Sequence, residues 1–336
     1  MKSTIKFAFT LTLLISTIYV SAQDLYPVRK SGKYGYIDKS GGMKIQPQFE
    51  NAFDFNDGMA KIKMDKNVGY INSSGKIVVA AKYKKGTEFN EGVAAVRDLE
   101  GNWSYIDKTG AEKFKVDASF AYHMNEGMAR FQKMGKLGFV DENGEIVIAA
   151  NFDAAYDFHE GVARVKKGSK WGFIDKKGVF VIQPRYDMVW DFHEGMANFR
   201  EGDERTGKWG FIDKKGKTVI TAQFDKAFYF SGGRALIRKG DFKTGKFGYI
   251  DKSGKVVVEA KFDGAYHFND GLACVAQGKG REAKWGFIDK SGKVVIARQF
   301  SKSADFTNGL AFVRIGDFST GTRGYIDTSG KFVYKQ

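Results

Sequence analysis

Lys170-Trp171-Gly172-Phe173-Ile174-Asp175-Lys176-Lys177-Gly178 returns as Lys208 to Gly216 and, ending in Lys-Ser-Gly, as Lys284 to Gly292. Weaker copies fill the rest of the chain. Aligned on the residue pair ahead of the aromatic-Ile-Asp run, nine copies begin at Tyr34, Val68, Trp103, Leu137, Trp171, Trp209, Phe247, Trp285 and Arg323. Successive spacings are 34, 35, 34 and 34 residues, then 38 four times. A period of this length marks a repeat architecture, and the search for one precedes any other reading.

Each copy contains three strand-like runs. The first follows an acid-Gly or Asn-Gly pair, as in Gly161-Val162-Ala163-Arg164-Val165. The second is the Trp-Gly-Phe-Ile-Asp run, and the third is β-branched, as in Lys255-Val256-Val257-Val258. Side chains alternate across a strand, so Trp171 and Phe173 share one face and Ile174 takes the other. Apolar residues on both faces predict sheets packed on both sides. The glycine after the aromatic is expected where a neighbouring sheet or ring comes close.

Asp175-Lys176-Lys177-Gly178 reads as a type I turn followed by a bulge, a common hairpin connection. The first residue accepts backbone N–H bonds and the glycine takes positive φ without steric cost. The turn recurs nine times from Asp38–Gly41 to Asp327–Gly330, with Asn72 at the first position once. These aspartates are therefore structural. After the third run comes a semi-apolar connector, such as Gln48 to Gly58 or Arg185 to Gly195, expected to lie over the sheet edge and protect it.

The expected fold is all-β: nine tandem three-stranded antiparallel units in a β-propeller-like ring, with an open β-solenoid or superhelical array as the alternative. Residues 1–22 read as a signal peptide. Lys2 and Lys6 precede an apolar run from Phe7 to Val20, and Val20-Ser21-Ala22 supplies small residues for cleavage. The run is too short for a stable membrane anchor and nothing later approaches the ~20 apolar residues of a spanning helix, so no membrane insertion is expected. Residues 23–336 form the repeat domain.

The motifs resemble the bacterial WG-containing repeat, also called the KWG repeat, over essentially all of residues 23–336. Only Trp103, Trp171, Trp209 and Trp285 keep the tryptophan, Ser104 replaces one glycine, and the proline after the third run survives only as Pro47 and Pro184. The resemblance implies an all-β repeat protein, often exported or surface-associated, with no family catalytic residues to carry over.

The formal charge of +15, two units of it from Lys2 and Lys6, favours anionic partners. Turn lysines such as Lys176, Lys177, Lys214, Lys215, Lys252 and Lys290 are expected to line one rim as a basic edge. Phosphate-binding loops, nucleophile elbows and calcium-loop spacings are absent. The lone cysteine, Cys274, excludes an intramolecular disulfide and is expected to be a buried hydrophobe. His159 and His193 share one repeat position, and His123 and His267 another. Neighbouring sheets stand ~10 Å apart, too far for imidazoles to converge on zinc. No metal, cofactor or catalytic residue is expected, and export argues against nucleic acid.

The change of period gives the candidate site. Four extra residues enter the hairpin before the motif strand in each of the last four units, and per-repeat insertions map to one face of an array. The candidate partner-binding loops carry Asp203, Arg205, Asp241, Phe242, Lys243, Arg281, Asp317 and Phe318. Exposed aromatics on adjacent loops mark recognition surfaces. The expected function is an exported, non-catalytic binding or scaffold protein of the bacterial envelope or exterior, engaging a protein or anionic glycan. The alternative is an exported propeller-type hydrolase, which would need a unit that breaks the repeat with convergent polar residues.

Overall fold

The computed structural model describes residues 24–317 and 319–336. The expected export signal at 1–22, and Phe318, lie outside the described residues. Among these, no α-helix occurs and the strands form nine small antiparallel sheets, the blades of a closed propeller. The ring, not the open array, is the architecture.

The blades are richer than three strands. Blade 1 has three, Leu25–Lys30, Lys33–Asp38 and Met43–Phe49, and each of the other eight has four. The connector itself supplies the extra, inner strand: Asn51–Asn56 pairs antiparallel with Met59–Met64 in blade 2. Elsewhere it shrinks to two residues, as at Ala154–Ala155 or Met188–Val189. The connector does protect the sheet edge, by pairing with it. It buries Ala52 and Phe55, three residues apart, because the register shifts between them.

The motif glycine answers to its own sheet, not to a neighbouring one. In blade 6, Trp209 pairs with Phe224, whereas Phe211, two residues on, pairs with Ile220, four residues back. The outer strand Thr218–Phe224 thus carries two extra residues, and its backbone folds over Gly210. A Cβ on Gly210 would stand 2.4 Å from the Ile220 carbonyl oxygen, and on Gly172 2.5 Å from that of Ile182. Blade 3 is the control. There the register runs Trp103–Val116, Ser104–Lys115, Tyr105–Phe114 without a bulge, and serine replaces glycine.

The Asp-x-x-Gly turn forms as expected. Asp175 Oδ1 accepts the N–H groups of Lys177 and Val179, each at 2.9 Å. The Gly178 N–H closes on the Asp175 carbonyl at 2.9 Å with φ +81°.

Blades pack through aromatic rows, with Phe173, Phe192, Phe199 and Ile212 in one cluster between blades 5 and 6. Where the motif carries tyrosine, its hydroxyl donates to a backbone carbonyl of the next blade's connector: Tyr36 to Phe53 at 2.8 Å, Tyr70 to Thr87 at 2.7 Å, Tyr249 to Tyr266 at 2.8 Å. Blade 9 closes on blade 1 by a variant of this device. The Tyr325 hydroxyl donates to the Pro27 carbonyl at 3.2 Å, and the Tyr26 hydroxyl to the Asn308 carbonyl at 2.7 Å. The Tyr26 and Tyr325 rings lie 5.4 Å apart, and Val28, Ile37 and Leu310 fill the seam.

Forcing a methyl group against the bulged strand should cost stability. Gly210→Ala is expected to lower the unfolding free energy by about 1–3 kcal/mol in a denaturant titration. Ser104→Ala, on the straight strand of blade 3, should stay within about 0.5 kcal/mol.

Candidate functional site

The long hairpins of blades 6 to 9 stand side by side on the face where each outer strand crosses to the next blade. That face is held by carboxylates following the outer strands. Asp187 accepts from Lys170, the lysine before Trp171, at 2.6 Å and from the N–H of Gly202 in the next blade's hairpin at 2.9 Å. Asp225 does the same with Lys208 at 2.5 Å and Gly240 at 2.7 Å, and Asp263 with Lys246 at 2.5 Å and Gly278 at 2.9 Å. The motif lysine is therefore a strut between its own blade and the crossover.

Of the expected loop residues, Asp203 and Asp241 shape their hairpins. Asp203 takes the Thr206 hydroxyl at 2.5 Å and the Arg205 and Thr206 N–H groups, and these bonds hold its carboxyl down at about 2. Asp241 repeats the pattern with Lys243 and Thr244. Arg205 is exposed on the blade 6 hairpin. Phe242 is 88% exposed at its tip, with the Arg238 guanidinium 5.8 Å from its ring. Phe242 and Lys243 line a cavity of about 290 Å³ between blades 7 and 8. Arg281 and Asp317 line another of about 440 Å³ between blades 8 and 9, and the two meet at Gly280.

The first cavity arises from two truncations. Gly264, Ala276, Trp285 and Phe300 are cross-strand neighbours in one row of blade 8. At the position of Ala276 the other blades carry Arg29, Lys63, Arg97, Gln132, Lys166, Arg200, Arg238 and Arg314. At the position of Gly264, blades 6, 7 and 9 carry Met188, Lys226 and Lys302. Such long side chains lie over the motif rings, with the Lys226 ammonium 4.2 Å from the Trp209 ring and the Arg200 guanidinium 5.9 Å from it. Blade 8 has neither cover. Trp103, Trp171 and Trp209 are 2%, 7% and 3% exposed, whereas Trp285 is only partly buried. Phe247 of blade 7 is partly buried as well, and both rings line the slot.

Seven segments match the WG-containing repeat: residues 34–67, 69–103, 138–171, 171–204, 209–241, 247–280 and 285–317. The chain belongs to the WG-repeat family. The stretch 104–137, which falls between matches, contains the outer strand of blade 3, whose pairing opposite Ser104 lacks the bulge seen opposite Gly210. No curated protein sequence matches this WG-repeat chain. Among solved structures it is similar to a eukaryotic initiation factor, at 12% identity over 93% of this chain and 95% of that one, with a TM-score of 0.68. BamB from Moraxella catarrhalis is similar at 12% identity over 87% and 91%, TM-score 0.44. PorZ, a surface component of the type-IX secretion system of Porphyromonas gingivalis, is similar at 11% identity over 93% and 50%, TM-score 0.34. At 12% identity the likeness to the initiation factor speaks to the fold alone.

On the opposite face of the WG-repeat ring, the turn lysines form a basic edge only in part. Lys214 reaches Glu160 of the preceding blade at 3.1 Å, Lys252 reaches Glu194 at 3.3 Å and Lys108 reaches Asp57 at 2.6 Å. The acids before Gly58, Gly161 and Gly195 thus pair with the second turn position of the following blade, while Lys177 and Lys215 remain exposed. Among the described residues no helix is long and apolar enough to cross a membrane.

The inner strands bring the histidines closer than the repeat spacing predicts. The His159 and His193 rings stand 5.4 Å apart, His193 and Tyr229 4.3 Å, and Tyr229 stacks on His267 at 3.7 Å. The ~10 Å spacing of packed sheets fails here because blades converge toward the axis. Even so, the described residues hold no group of three His, Cys, Asp or Glu placed to bind a metal ion. Cys274 is buried and its thiol is pushed up to about 12 by that burial.

Sequence reading missed an acidic column. The position of His123 and His267 holds Asp54, Glu88, Asp157, Asp191 and Asp305 in other blades. Arg164 pairs with Asp191 at 2.8 Å and Arg130 with Asp157 at 2.6 Å. Burial works against ionisation of Asp157, yet the His123 hydrogen bond and the Arg130 charge outweigh it and hold the carboxyl at about 2. Asp305 is pushed up to about 6 by burial, and Asp54 is raised by burial and by Glu88. Those two carboxyls line a cavity of about 190 Å³ at the seam.

Burial, and then the charge of His193, push His267 down to about 4, whereas the Asp157 hydrogen bond raises His123. A depressed histidine binds fewer protons folded than unfolded. Its contribution to stability is therefore whole above about pH 6.5 and is lost as pH falls toward 4. In an NMR titration His267 is expected to stay neutral at pH 5, where His123 is protonated.

Proposed function

We propose that this WG-repeat propeller is an exported, non-catalytic binding or scaffold protein that engages an envelope or extracellular partner, protein or glycan, through its long-hairpin face. The observation that carries the reading is the departure from repetition on that face. Elsewhere the motif residues are committed to scaffold: lysine to the crossover carboxylate, glycine to the bulge, aspartate to the turn. On the hairpin face, Phe242 projects into solvent, two adjoining cavities open, and Lys243 and Arg281 make no ion pair among the described residues. An exposed aromatic flanked by cations beside a concave surface is the composition of an interaction hot spot. The leader-like residues 1–22 and the positive charge support export and an anionic partner.

Residues 23–336, immobilised and incubated with envelope extract, should retain a partner that the double variant Phe242→Ala, Arg281→Ala binds at least tenfold more weakly. Retention should also weaken between about 50 and 300 mM salt, as solvent-exposed charge contacts do. Equal retention by wild type and double variant would place the partner elsewhere on the ring.

A further inference from the structure

We propose that the slot between blades 7 and 8 is a subsite for an acidic sugar residue of a glycan; this rests on the binding reading above and names its ligand class. Its walls are the Trp285 and Phe247 rings, with Phe242 at the lip, and its cavity of about 290 Å³ is of monosaccharide scale. The Tyr266 ring, 42% exposed, lies 5.1 Å from Trp285 and extends the aromatic surface. Sugar rings present flat arrays of C–H bonds that pack on an aromatic face, while their hydroxyls stay at the wet edge. Ligand sites combine such apolar walls with few polar groups that fix orientation.

Three features make this a built site and not a gap. A Cβ at residue 264 would stand 2.9 Å from the Trp285 ring, so glycine is what lets the ring lie as it does. Ala276 removes the cross-strand side chain that reaches out as Arg, Lys or Gln in every other blade. The mouth is cationic: the Lys279 ammonium is fixed on the Lys243 carbonyl, which presents both lysines beside the rings. The one carboxylate in the lining, Asp263, is already engaged by Lys246, Gly278 and Gln277 and is not free to repel an anion. Aromatic walls with a positive mouth select a ring carrying a carboxylate. The strands that carry Ala276, Trp285 and Phe247 are each already paired on both sides, so they offer a peptide no free ladder to join.

The test is calorimetric titration of residues 23–336 with trigalacturonate and with a hyaluronan tetrasaccharide, against neutral galactotriose and uridine monophosphate. At least one acidic oligosaccharide should bind, tenfold or more tighter than galactotriose and uridine monophosphate. Gly264→Lys, the residue of blades 7 and 9, should weaken that binding at least tenfold. Ala276→Arg, restoring the side chain of its neighbours, should do the same, and at least one of the two should keep the wild-type melting temperature. Lys243→Ala should remove most of the preference for acid over neutral sugar. The proposal is overturned if neither acidic oligosaccharide binds, if galactotriose or the nucleotide binds equally well, or if a folded slot variant binds as wild type does. Envelope-partner retention by the slot variants separates the two readings: retention without sugar binding ends the subsite and leaves the hairpin-face function standing.

Discussion

Successive blades along the chain are tied together by carboxylates that reach from one to the next. At the hairpin face, one aspartate accepts the motif lysine of its own blade and a backbone N–H of the next. At the turn face, Glu126 accepts the Gly161 N–H at 2.8 Å, Glu160 the Gly195 N–H at 3.0 Å and Asp270 the Gly309 N–H at 2.7 Å, each reaching one blade onward. Exposed ion pairs contribute only about 0–1 kcal/mol each, so their main effect is not stability. Burying an aromatic or aliphatic side chain such as Phe173 or Ile212 contributes about 1.5–3 kcal/mol, and this packing supplies the cohesion. The carboxylates link one blade to the next along the chain, whereas blade 9 meets blade 1 through the Tyr26 and Tyr325 hydroxyls and the apolar seam.

Much of the fold was readable because its signals are local. The turn depends on two residues three positions apart, the period on alignment, and the strand faces on alternation. The inner strand was not readable: at Ala154–Ala155 it is two residues long, and at Asn51–Asn56 a register shift breaks its alternation. The glycine was assigned to a close approach, but the partner is the bulged strand of its own sheet, a feature that only pairing reveals. Histidine proximity was misjudged because a spacing valid for parallel-stacked sheets was applied to sheets that fan out from an axis.

The hairpin loops were found from the period change, yet the slot beneath them was passed over. Its signal is subtraction. Leu272-Ala273-Cys274-Val275-Ala276 looks like one more strand until Ala276 is set against Arg200, Arg238 and Arg314 in the same column. A repeat protein advertises sites less by adding catalytic-looking residues than by omitting a structural one. The acidic column on the inner strands was missed for a related reason: its histidines were compared with each other and not with the carboxylates that occupy the same position.

The ring closes where blade 9 meets blade 1. Spin labels on single cysteines at Lys39, Lys177 and Lys335, placed in pairs, test this directly, since the buried Cys274 thiol does not compete for label. The closed ring predicts that the 39/335 pair, at opposite ends of the chain, gives a narrower and shorter distance than the 39/177 pair across the ring. A 39/335 distance longer than 39/177 would contradict closure and, with it, the account of the fold.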